Sequence, residues 1–269
     1  MKTEKELQDF YGKVEKFKSP SGYYFTIREQ NGDDEDIISR MKDAKDGSSV
    51  NKFIAAIVVD NDYTDNSRLT ESQVESLKLN DKYYILLKSR ILSLGTDLSY
   101  THKCGNQHCE KENDYEECLT NFDQNLELTD YNTESIDDPY KDIRVKPYKH
   151  GKEEFREFTL YSGKRVRYKY LDGKGEKRII NLNKDNITIN QPLLSRDLSL
   201  LREDGGSDQW VKIQRFDVFT SREMKEIRKD VMENDKQFTI DSEVICPHCN
   251  NKEVISLILL PDFFFPTGE

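Results

Sequence analysis

Histidine is scarce in this 269-residue chain, which has four. His102, His108 and His248 stand within two residues of a cysteine, and His150 lies in a polar stretch. A Ser-His-Asp constellation therefore has almost no material to draw on. No apolar run approaches the roughly 20 residues that span a bilayer, and MKTEKELQDFYGK has no apolar core of the kind a signal peptide needs. The expectation is a soluble chain that stays in the compartment where it is made. Positive charge is in deficit: 41 Lys and Arg against 51 acids leave a net charge of −10. The summed field repels nucleic acid and anionic membrane, so protein partners are expected instead. Phosphate-cradling loops are missing as well. SGKR lacks the upstream glycine and the following Ser or Thr of a P-loop, and LDGKGEKR reads as a Gly-rich turn.

Hydrophobic residues are only 35% of the chain and charged ones 34%, yet 14 tyrosines and 13 phenylalanines are spread along it. That combination fits an ordered fold with a strongly solvated surface rather than disorder. At this length a core can form without help, so any metal is a specific device.

The five cysteines form two short-spaced pairs plus Cys118. Cys104 and Cys109 flank four residues in THKCGNQHC, and Cys246 and Cys249 flank two in VICPHCNN. An odd count in tight pairs favours metal ligation in a reducing compartment over a disulfide framework. Two such knuckles complete a tetrahedron of thiolates with no open position, which predicts one structural zinc per chain on Cys104, Cys109, Cys246 and Cys249. His102, His108, His248 and Cys118 are close enough in sequence to substitute. A saturated site has no water to activate, and Pro247 lies inside CPHC, whereas the deaminase signature sets proline before its cysteine pair. The reading is non-enzymatic.

Along the chain, Leu7, Phe10, Tyr11, Val14 and Phe17 predict an amphipathic helix over residues 2 to 17, with packing inside the chain favoured over docking to a partner. SPSGYYFTIREQNGDDEDI reads as a hairpin followed by a helix, with Asp33, Asp34, Glu35 and Asp36 complementing the helix start. LTESQVESLKLNDKYYILLKSRILSL reads as one helix capped by Thr70. The later half repeats this order. Placing Ser21-Gly22 on Ser162-Gly163 pairs Phe25 with Val166, Gly32 with Gly173, Glu35 with Glu176 and Ile38 with Ile179 without a gap. After a small offset Thr70, Val74 and Leu77 fall on Thr220, Met224 and Ile227, and a cysteine pair follows in each half. The predicted fold is α+β: a helix over 1–16, a first repeat over 17–127, a linker over 128–150 and a second repeat over 151–269. The two hairpin-helix-knuckle halves would join at a zinc-ribbon-like four-cysteine site. The second half also contains two strands around a Gly-Gly turn in LSLLREDGGSDQWVKIQRF. Phe263, Phe264 and Phe265 in LPDFFFPTGE are either a final core strand or a docking element for another subunit.

These elements together, SGYYFTIREQNGDDEDI, DKYYILLKSRILSLG before a knuckle, FTLYSGKRVRYKYLDGKGEK, and VICPHCNN with a DFFFP ending, resemble the baseplate hub assembly, or tail assembly chaperone, proteins of contractile-tailed bacteriophages. The resemblance implies a non-enzymatic role in building the hub, with baseplate or tail hub proteins as partners. It places the chain in the host cytoplasm during assembly and leaves open whether it stays in the virion's tail baseplate. A zinc-ribbon nucleic-acid-binding regulator is the alternative, opposed by the net charge and by the acidic CEKENDYEEC beside the first knuckle.

Overall fold

The computed structural model describes residues 3–39, 48–127, 151–182, 188–204 and 207–265. The expected linker at 128–150 lies outside them. Helix α1 (Glu4–Tyr11) begins with a capping box, in which Thr3 accepts from the Glu6 N–H and Glu6 from the Thr3 N–H. It ends at Gly12, whose φ of 78° is a conformation that glycine adopts without a Cβ penalty. The helix is thus shorter than expected, and Val14 and Phe17 belong to strand β1 (Val14–Lys18). Strand β1 turns through Ser19 to Gly22 into β2 (Tyr24–Arg28), which also pairs with β3 (Val58–Asn61). All three strands are antiparallel, in the order β1-β2-β3.

Helix α2 (Gly32–Ser39) carries Asp33, Asp34 and Glu35 in its first turn. Asp34 is buried and accepts from Arg28 at 2.6 and 2.9 Å and from the Asn31 N–H at 2.9 Å. This carboxylate is a structural anchor. Helix α3 (Ser48–Ile57) runs into β3.

The single helix expected from Thr70 onward is two, α4 (Glu71–Glu75) and α5 (Leu79–Leu94). The break has a long-range cause. Leu79 N–H donates to the Leu171 carbonyl, Gly173 N–H donates to that of Leu77, and Lys78 bridges Asp172. A two-stranded ribbon follows, β4 (Asp97–Lys103) and β5 (Glu112–Cys118), then α6 (Thr120–Glu127).

The later part opens on the hairpin β6 (Phe155–Thr159) and β7 (Arg165–Lys169), followed by α7 (Gly173–Ile180) and α8 (Gln191–Leu194). Strands β8 (Ser199–Asp204) and β9 (Ser207–Lys212), on either side of the Gly-Gly pair as expected, complete a four-stranded antiparallel sheet in the order β6-β7-β8-β9. Helix α9 (Ser221–Asn234) starts with a capping box between Thr220 and Glu223. The second ribbon, β10 (Asp241–Ile245) and β11 (Lys252–Ser256), leads to a short terminal helix α10 (Pro261–Phe264).

Among the described residues two main hydrophobic cores form, beside a small cluster of Leu7, Val14 and Val59. One fills the space between the four-stranded sheet and α9 with Leu160, Val166, Tyr168, Leu198, Met224 and Ile227. The larger gathers Phe17, Phe25, Ile27, Phe53, Ile57 and Leu87, and to these the end of the chain adds Ile240, Val244, Leu257, Phe263 and Phe264. The fold is α+β, and its larger core crosses the boundary expected at 151.

Candidate metal centre

Each knuckle is shaped by its own backbone. In the first, Cys104 N–H donates to the Lys111 carbonyl at 2.9 Å, and Cys109 N–H donates to that of Asn106 at 2.8 Å. In the second, Cys246 N–H donates to the Asn251 carbonyl and Asn250 N–H to that of Cys246, both at 2.9 Å. Glu110 (φ 48°) and Asn250 (φ 57°), each just after the knuckle's second cysteine, adopt the left-handed conformation. That reversal returns the chain to the outgoing strand. Asparagine takes this conformation more readily than glutamate.

The ribbons meet at their tips, where Cys104 Sγ lies 3.6 Å from Cys249 Sγ and Cys109 Sγ 3.8 Å from Cys246 Sγ. All four sulfurs lie within 4.8 Å of one another. A tetrahedral ion with sulfurs at about 2.3 Å would have S–S edges of about 3.8 Å. The donor set and its spacing therefore fit a four-thiolate metal site.

The electrostatics agree. Burial opposes ionisation of Cys246, but the backbone N–H groups of His248 and Cys249, with the neighbouring thiols, outweigh it and draw the thiol down to about 6. At Cys104 the Asn106 N–H favours the thiolate, yet burial and the nearby Cys249 and Cys246 push the thiol up to about 11. A second negative sulfur is disfavoured beside the first. A divalent cation supplies the charge that would let all four ionise.

Polar side chains brace the cluster. Asn113 Nδ2 reaches Cys246 Sγ at 3.7 Å and Asn251 Nδ2 reaches Cys104 Sγ at 3.9 Å. Glu253 accepts the Gly105 N–H at 2.8 Å and meets His102 Nε2 at 2.6 Å. Sequence reading missed Asn113, Asn251 and Glu253, because nothing in the knuckle spacing marks polar residues on the outgoing strands.

The other candidate ligands stand apart. Cys118 contacts the Thr120 hydroxyl at 2.9 Å, His102 is engaged by Glu253, and His108 and His248 are exposed. His108-Cys109-Glu110 has the H-x-E form that deaminases use. Its Glu110 is 62% exposed and pairs with Lys103 at 3.5 Å.

Phe263 is 0% and Phe264 8% exposed, with Phe264 edge-on to Phe53 at 5.9 Å between ring centroids. Phe265 is half-buried against the same core. These rings lie on a short helix and its end rather than on a strand. In the folded chain Phe263 and Phe264 have almost no surface with which to anchor another subunit.

The family described as T4 bacteriophage base plate protein matches residues 13–265. The chain belongs to that family. The baseplate family match takes in both knuckles and all three terminal phenylalanines, and begins just past α1. No curated protein and no solved structure matches the chain. Among the described residues no helix is long and apolar enough to cross a membrane.

Proposed function

We propose that this phage baseplate protein is a non-enzymatic assembly factor of a contractile tail, acting on the baseplate hub through protein-protein contacts. The observation that carries the reading is the baseplate family match over residues 13–265. The net charge of −10 favours protein over nucleic-acid partners. On this reading the chain works in the host cytoplasm while tails are built and meets its partners in the baseplate.

Cys104, Cys109, Cys246 and Cys249 would hold one structural zinc. With four protein ligands the ion stabilises the junction of the two ribbons and has no position left for substrate. We further read the chain as a tandem duplication. In support, both hairpin turns contain a glycine at nearly the same φ, Gly22 at 85° and Gly163 at 86°. Thr70 with Gln73 and Thr220 with Glu223 form matching capping boxes, and the ribbons close on matching backbone bonds. The second half departs from the first in its additional strand β9, and the first in its long helix α5.

The deciding experiment is affinity capture of the tagged chain from phage-infected cells, with bound proteins identified by mass spectrometry. Recovery of hub or other tail proteins is expected. Tight, steeply salt-dependent binding to nucleic acid with no tail protein recovered would overturn the assembly reading.

A further inference from the structure

The ribbons offer a common reference point, since Cys104 N–H bonds the Lys111 carbonyl and Cys246 N–H bonds that of Asn251. Two residues beyond each carbonyl lies the same station on the two outgoing strands: Asn113 on β5 and Glu253 on β11. Both side chains reach the opposite knuckle, Asn113 while its Nδ2 also donates to the Lys111 carbonyl of its own ribbon at 3.3 Å. Asn113 Nδ2 lies 3.7 Å from Cys246 Sγ. Glu253 Oε1 accepts the Gly105 N–H at 2.8 Å, while its Oε2 meets His102 Nε2 at 2.6 Å.

The two residue types suit their targets. A carboxamide can donate to sulfur, whereas a carboxylate aimed at thiolates would be repelled and instead takes the N–H next to one. Asn251 Nδ2 steadies the same Glu253 oxygen at 2.7 Å. The approach to Gly105 also explains that residue. A Cβ there would sit 2.5 Å from Glu253 Oε1.

We propose that Asn113 and Glu253 are positioning residues that cross-brace the two knuckles and hold four thiols, two from each ribbon, at metal-ready spacing. This rests on the zinc reading above. Each ribbon fixes its own cysteine pair through its turn, but the distance between pairs is set by bonds that cross from one ribbon to the other. With the braces intact the ion enters an organised frame; without them the pairs drift apart and affinity falls.

The test uses the full reduced chain, stripped of metal and titrated with Zn²⁺ against a chromophoric chelator, with Co²⁺ as a spectroscopic probe. Glu253→Ala and Asn113→Ala should each weaken Zn²⁺ binding about 10- to 100-fold. Glu253→Gln, which retains an acceptor for the Gly105 N–H, should lose less. Gly105→Ala should reproduce Glu253→Ala, and the double variant should be little worse than either, because both remove one shared contact. The Co²⁺ ligand-field bands should shift in the variants, while the unfolding midpoint of the metal-free protein stays near that of the unsubstituted chain. If the unsubstituted chain takes up no zinc, the metal reading falls and the bracing claim with it. If it binds one zinc and the variants match its affinity and spectrum, the bracing claim alone falls. It falls equally if affinity declines only in step with metal-free stability.

Discussion

Ser162 donates its hydroxyl to Glu223 Oε1 at 2.5 Å, tying the β6–β7 turn to the first turn of α9. Lys164 completes the contact at 3.0 Å, and Glu223 is 1% exposed. A single carboxylate thus caps a helix, holds a hairpin and neutralises a lysine.

The acid behaviour of Glu223 follows from those bonds. Chiefly the Ser162 hydroxyl, then the Thr220 N–H, hold its carboxyl down to about 2 against the opposing effect of burial. A depressed carboxyl contributes stability above its unfolded value near 4.5 and loses it as pH falls toward 2. Glu223→Gln should flatten this part of the acid limb in urea unfolding measured at stepped pH. At pH 7 it should destabilise by about 1–3 kcal/mol. An unchanged acid limb would count against the assignment.

Removal of one ligand tests the metal directly. Cys246→Ser should reduce zinc from one per chain to none by elemental analysis. It should also lower the melting temperature by about 10 °C, reflecting several kcal/mol at roughly 2–4 °C each. Cys118→Ser, outside the cluster, should leave zinc content unchanged. Absence of zinc from freshly purified reduced protein would refute the assignment.

The terminal phenylalanines should behave as core. Phe263→Ala should destabilise by about 3–5 kcal/mol, and removal of residues 262–269 should disrupt the larger core, seen as loss of cooperative unfolding. Retention of full stability after that truncation would restore the docking reading.

Gly173 allows a test in which two effects have opposite signs. Alanine is favoured over glycine in a helix by about 1 kcal/mol. A Cβ here, however, would lie 2.9 Å from both the Glu75 carbonyl oxygen and Lys82 Nζ. Overpacking of about 1–3 kcal/mol should prevail, so Gly173→Ala should lower the denaturation midpoint. A higher midpoint would show that the α4–α7 contact yields easily.

The legible parts of the fold were those with local causes. Thr70 and Thr220 cap helices because their side chains reach N–H groups three residues on, and knuckle spacing marks the four cysteines directly. The break at Leu77 to Leu79 was hidden because its backbone partners come from Leu171 to Gly173. No neighbouring residue announces them. Val14 and Phe17 sit three apart, a spacing that serves a helix, yet both are buried on a strand; Gly12 was the available sign that the helix stops. Asn113 and Glu253 also reach across the junction, and that role emerges when the ribbons are placed side by side.

The larger core gathers Phe17 and Phe25 with Phe263 and Phe264, residues far apart in the sequence. During synthesis on the ribosome this core therefore stays incomplete until the segment from Ile240 to Phe264 has been made. The sheet packed on α9, complete by Ile227, can close sooner. Until then the incomplete core is exposed to off-pathway association. Its yield in a cell should respond to elongation rate and to holdase chaperones more strongly than its equilibrium stability alone would suggest.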